Sequence, residues 1–259
     1  MAVAYIQSAN GTGVNEGTNT VTSCSATFNT TTTVAGRLIV VQINWNSATG
    51  SITSVTDNLG QTYTAVEALT QANGVSLAAY YFPNSAAGVS KVTVNFSAAV
   101  SYAECDITEV SGCDQSNPVA QHLTSVGTTG NASSGSITTT DANTILFTMC
   151  VSTGQPGTLP NTPNWTIFNT NIGNQRGLVL ETAPGTFSAN YTGSSGNWAA
   201  NIVVFRAPVS AGQHATAAIQ TAASVIPSAK VTTHPSDGIA TGATVSAAPK
   251  AVLNATVSI

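Results

Sequence analysis

The chain has 259 residues; 42% are hydrophobic, only 6% are charged, and the net charge is −4. Soluble domains usually carry about a quarter charged residues, so long helices with Lys- and Glu-rich outer faces are excluded, and Ser, Thr, Asn and Gln must supply the surface polarity. The basic residues Arg37, Lys91, Arg176, Arg206, Lys230 and Lys250 stand singly, which argues against nucleic acid as a partner, and no apolar run reaches the roughly 20 residues of a membrane-spanning helix.

Taken in chain order, β-branched and alternating runs predict strands over 3–8, 20–28, 37–45, 52–56, 62–69, 75–82, 91–97 and 102–110. They continue over 119–126, 136–140, 144–152, 165–169, 177–181, 188–191 and 197–206. Breaks such as "NSATGS", "PNSAAG", "TTGNASSG" and "TGSSGN" supply turn chemistry. In "KVTVNFS", Val92, Val94 and Phe96 face one way and Lys91, Thr93 and Asn95 the other, as in a half-buried strand. "RLIVVQINW" is more continuously apolar, which predicts a central strand covered for part of its length on both faces. The pattern predicts an all-β fold, an antiparallel β-sandwich of jelly-roll or immunoglobulin-like type over residues 1–207.

After Arg206 the composition changes. Residues 208–259 contain no aromatic residue, and "ATAAIQTAASV" and "ATGATVSAAPKAV" form a degenerate internal repeat of short strands interrupted near Pro227 and Pro249. Such small side chains bury little area. This C-terminal segment is expected to pack on the main domain or on a neighbouring subunit.

Asp57 lies in "TDNLGQTY". Asp and Asn bond their own backbone and Gly takes positive φ, so Asp57 reads as a turn residue rather than a working carboxylate. Glu104 and Asp106 are i, i+2 on one strand and share a face. They are the metal candidates, placed to reach one calcium ion or to flank one sugar, against the simpler reading of two acids facing water opposite buried Ala103, Cys105 and Ile107. Glu109 falls on the apolar parity and is expected at the sheet margin or beside a bulge. Trp165, in "TPNWTIF", is the ligand-binding candidate, a ring for stacking on a sugar; the alternative is core packing.

Cys24 and Cys150 read as buried thiols. Cys105 and Cys113 flank "DITEVSG" and are spaced either to close a hairpin as a disulfide or to remain free. His122, His214 and His234 have no metal-site spacing, and no nucleophile elbow, phosphate loop or dinucleotide fingerprint is present. No catalytic residue and no cofactor are expected.

"SVTDNLGQTYTAV", "GVSKVTVNFS", "AECDITEVSGCDQSNPVA" and "GNWAANIVVFRA" occur in an order that resembles a loosely defined class of β-sandwich domains in tailed-phage virion proteins and bacterial surface proteins. The resemblance covers residues 1–207 and brings no catalytic residues. It implies a non-enzymatic structural virion protein: a capsid decoration, head-fibre or tail-associated component. The partners implied are other virion subunits or copies of the same chain. The start "MAVAYIQSANGTG" has no secretory pattern, which fits a virion protein assembled in the host cytoplasm. The alternative is an extracellular or cell-surface adhesin or carbohydrate-binding module that engages a surface glycan.

Overall fold

Every regular element described in the computed structural model, which covers residues 2–12, 20–32, 34–159, 164–168 and 174–208, is a β-strand. The first half contains β1 (Ala4–Thr12), β2 (Thr20–Thr27), β3 (Arg37–Trp45), β4 (Ile52–Asp57), β5 (Thr64–Ala65), β6 (Thr70–Ala72), β7 (Val75–Ser85), β8 (Lys91–Ser101) and β9 (Glu104–Ser111). The second half contains β10 (Val119–Gly127), β11 (Ala132–Thr139), β12 (Thr144–Ser152), β13 (Thr166–Phe168), β14 (Asn174–Glu181), β15 (Gly185–Tyr191) and β16 (Trp198–Arg206). The expected antiparallel β-sandwich is therefore present, but the stretch read as one sandwich folds as two.

Each half has an inner and an outer sheet. The first inner sheet has the order β1-β9-β3-β7-β5, with β6 also on β7; its outer sheet is β2-β8-β4. The second inner sheet has the order β10-β16-β12-β14-β13; its outer sheet is β11-β15. Strand for strand these are the same arrangement. The missing counterpart of β4 is marked by a single bridge between Thr158 and Thr192. The main body is thus an internal structural repeat, whereas the repeat expected in the tail lies outside the described residues.

Side-chain alternation explains why the halves join through their inner sheets. On β3, Ile39, Val41, Ile43 and Trp45 enter the core of the first sandwich with Val92, Val94 and Phe96 of β8. Leu38 and Val40 point the other way, into a third core shared with Ile145, Phe147, Leu178, Val203 and Phe205 of the second half. On β12, Leu146 and Cys150 enter the second sandwich with Ala132, Ala189 and Tyr191. Its Met149 and Val151 meet Val75 and Leu77 of β7. The layers run outer, inner, inner, outer, and both central strands are predominantly apolar and buried on two faces. Tyr81 crosses the seam to Phe205, ring centroids 5.8 Å apart.

Asp57 closes the turn after β4. Its Oδ1 accepts the backbone N–H groups of Leu59 (2.9 Å) and Gln61 (3.1 Å), and Oδ2 accepts Gln61 Nε2 (2.6 Å) and Tyr63 OH (3.3 Å). Gly60 supplies the left-handed residue of this turn, with φ +79°. Asp57→Ala orphans those donors and is expected to cost about 2 kcal/mol. Asp57→Asn keeps an oxygen for the two backbone donors and should retain most of the stability. Urea unfolding of the two variants checks this; equal losses would show that the side chain's charge, not its turn bonds, matters.

Candidate functional site

The two acids singled out by spacing do share a face, but that face is the seam between the sandwiches, not solvent. Glu104 and Asp106 alternate with Cys105 and Ile107 on β9, and the latter two enter the first core. Asp106 is 4% exposed. Its Oδ2 lies 3.1 Å from Nε of Arg176 on β14. The backbone N–H of Gly11 also favours the charged form of Asp106. The Arg176 guanidinium donates to Asn10 Oδ1 on β1, and its centre lies 5.2 Å from the Phe168 ring centroid. Beside it, Asn174 Nδ2 donates to Glu104 Oε2 at 2.6 Å. Arg176 is itself only 1% exposed. A guanidinium on the facing sheet therefore occupies the place beside the acids that a cation would take. Among the described residues, no group of three or more His, Cys, Asp or Glu is arranged to hold a metal ion.

Burial pushes Asp106 up to about 7; the charge of Arg176 opposes this and that of Glu104 adds to it. Burial in turn lowers Arg176, against the acids around it. The pair therefore sits where desolvation and attraction compete, as expected for ions removed from water.

The repeat places a second polar cluster at the equivalent point of the other half. Asp106 stands opposite Asn10 and Gln42 in its sheet. Asn201 stands opposite Thr124 and Met149 in the other. Arg176 reaches Asp106 and Asn10; correspondingly, Glu67 accepts a hydrogen bond from Thr124 Oγ1 at 2.6 Å and lies 3.5 Å from Asn201 Nδ2. The exposed His122 completes this cluster, its Nδ1 3.3 Å from Glu67 Oε2. Gln42 Nε2 donates to the Thr148 carbonyl at 3.0 Å, tying the inner sheets together between the clusters. Arg176 and Glu67 were missed as site residues in the sequence because each stands alone there. The available signal was indirect: a buried acid at Asp106 requires a counter-charge from another element.

The remaining candidates are placed as follows. Glu109 lies on the apolar parity at the margin of the first sandwich, 3.7 Å from Arg37 Nε, and accepts from Gln7 Nε2 at 2.7 Å. Trp165 is 6% exposed and belongs to the second core with Leu159, Val179 and Tyr191, so its ring is not presented for stacking on a sugar. The Cys105–Cys113 disulfide does not form, and all four cysteines are free thiols. The reason is one of faces: Cys105 enters the first core, while Cys113 enters the seam with Val3, Leu38 and Val110. His214 and His234 lie outside the described residues.

Among the described residues, the two outer sheets carry rows of polar side chains. On the first, Ser25, Thr93 and Thr56 stand side by side across the three strands, followed by Ser23, Asn95 and Ser54. On the second, Thr138 faces Thr186, Ser136 faces Ser188 and Ser133 faces Asn190. Thr138 and Thr186 are hydrogen-bonded at 2.9 Å, as are Ser133 and Asn190 at 2.6 Å. Both faces are hydroxyl and amide ladders. Comparison with protein-family models, curated proteins and solved structures finds no match to this chain.

Proposed function

We propose that the chain is a non-enzymatic structural component of a phage virion, a capsid decoration, head-fibre or tail-associated protein, that displays its outer sheets on the particle. The observation that carries this reading is the pair of outer faces: two ladders of Ser, Thr and Asn, directed away from a doubly packed centre whose charged groups are engaged with one another. Such faces stay hydrated without strong charge, which suits a subunit repeated many times on one surface. The partners are other virion subunits or further copies of the chain.

The test is density-gradient purification of particles from cells that carry the gene, followed by mass spectrometry of the particle band. The chain is expected there in stoichiometric amount. Its recovery only from cell envelopes, together with glycan binding by the isolated protein, would overturn the virion reading in favour of an adhesin.

The tail, residues 208–259, is assigned the attachment role on sequence grounds, since short strands of small residues gain most by pairing with another chain. A chain ending at Pro208 should keep a cooperative thermal transition but lose its oligomer or its place on the particle. Light-scattering mass and thermal melting of both chains decide this; equal assembly by the truncated chain would remove the tail from attachment.

A further inference from the structure

We infer that Cys24 and Cys105 are an oxidisable pair, a site at which a disulfide can fasten the outer sheet of the first sandwich to its inner sheet. Three observations lead there. First, the two thiols come from facing sheets, Cys24 from β2 and Cys105 from β9, and enter the same core. Second, the backbones of these strands converge beside them. Gly11 on β1 is the register partner of Cys105. The point that a Gly11 Cβ would occupy is 2.5 Å from the carbonyl oxygen of Cys105, 2.5 Å from that of Ser25 and 2.7 Å from the nitrogen of Ala26. A glycine is required there because β2 and β9 leave no room for a side chain. Disulfides need Cα atoms roughly 4.4–6.8 Å apart, and close strand approach of this kind is what permits it. Third, the two thiols are near enough to affect each other's ionisation: the Cys24 side chain is the first cause, ahead of burial, that holds the Cys105 thiol well above its ordinary value.

The remaining thiols have no such arrangement, since Cys113 lies in the seam and Cys150 in the second core. Cys24 and Cys105 are 3% and 0% exposed, so an oxidant reaches them when the edge strand β2 opens or before the sheets close. The oxidant is a small-molecule disulfide such as oxidised glutathione. A thiolate of the pair attacks it, forming a mixed disulfide and releasing one glutathione thiol. The second protein thiolate then displaces the other glutathione. One Sγ–Sγ bond forms, the two protein thiols lose two electrons and two protons, and the small disulfide is reduced to two thiols. In a reducing compartment the pair stays open; in an oxidising one it closes.

The experiment uses the full chain, incubated with oxidised glutathione, then unfolded, alkylated and mapped without reduction. Expected is one cross-linked peptide pair containing Cys24 and Cys105, with Cys113 and Cys150 alkylated. The oxidised protein should also melt several degrees higher than the reduced one, and dithiothreitol should reverse the shift. Four alkylated cysteines, stable glutathione adducts without the cross-link, or a bond involving Cys113 or Cys150 would overturn the inference. So would a Cys24–Cys105 bond that lowers the melting temperature, since it would then strain the core rather than fasten it. Because the mapping is done on the wild-type chain, no outcome depends on a cysteine variant folding.

Discussion

Arg176→Met is expected to lower stability by about 3 kcal/mol at pH 8, the usual scale for removing one partner of a buried ion pair. Methionine is apolar and flexible enough to fill much of the same space beside Phe168, so the loss reports charge more than volume. What remains is a carboxylate at Asp106 with Glu104 as its neighbour and no cation between the sheets. The sign with pH follows. Asp106 already sits at about 7 in the folded protein against an ordinary value of 3.8; without Arg176 its folded value rises further. Above the ordinary value the folded state then binds more protons than the unfolded state, so stability falls as pH rises and returns on acidification. The variant should therefore recover much of its loss at pH 5, where protonation removes the unpaired charge. Urea unfolding of wild type and variant at both pH values measures this. An equal loss at pH 5 and pH 8 would mean that Arg176 matters only as packing.

Gly11→Ala is expected to cost about 3 kcal/mol or more, at the upper end for overpacking, and to lower the melting temperature by about 10 °C. The added methyl would lie 2.5 Å from two carbonyl oxygens and 2.7 Å from a backbone nitrogen, belonging to two different strands. Flexible side chains can move aside, but these atoms are fixed in β2 and β9. Relief requires the outer sheet to lift from the inner one at β1, which uncovers Cys24 and Ala26. Thermal melting checks the size of the effect, and thiol labelling of the native variant checks its route. A variant that melts with the wild type would show that β2 stands further from β1 than these distances allow.

The strands themselves were legible because alternation was strong, and "KVTVNFS" sits as its pattern requires. "RLIVVQINW" also announced that both its faces are covered. What covers the second face was not legible. The covering strand is the equally apolar "TILFTMCVS" of the other half, and the two halves share topology without an evident shared sequence. A single sandwich was the natural reading for a chain whose repeat is written in strand order and register rather than in residue identity. Local errors have local causes. "TTGNASSG" was read wholly as a turn, yet β11 begins at Ala132, and a bulge between Ser133 and Ser136 hides the alternation. The pairing of Glu104 and Asp106 on one face was legible from spacing alone. Their partner was not, because Arg176 precedes the segment predicted as strand and ion pairing across a seam leaves no local periodicity.

Joining two like sandwiches in one chain also changes what dilution can do. A dimer built from separate halves would come apart when scarce, as any bimolecular contact does. Here the short segment 112–118 connects β9 to β10, so each inner sheet meets its counterpart at an effective concentration on the order of millimolar or above, whatever the protein's abundance. The seam is therefore relieved of having to assemble from solution. Selection need not hold its two polar clusters alike, and one position carries Asp106 where its counterpart carries Asn201. An asymmetric joint of this kind gives the two sandwiches distinct faces at their seam, so neither half can replace the other there.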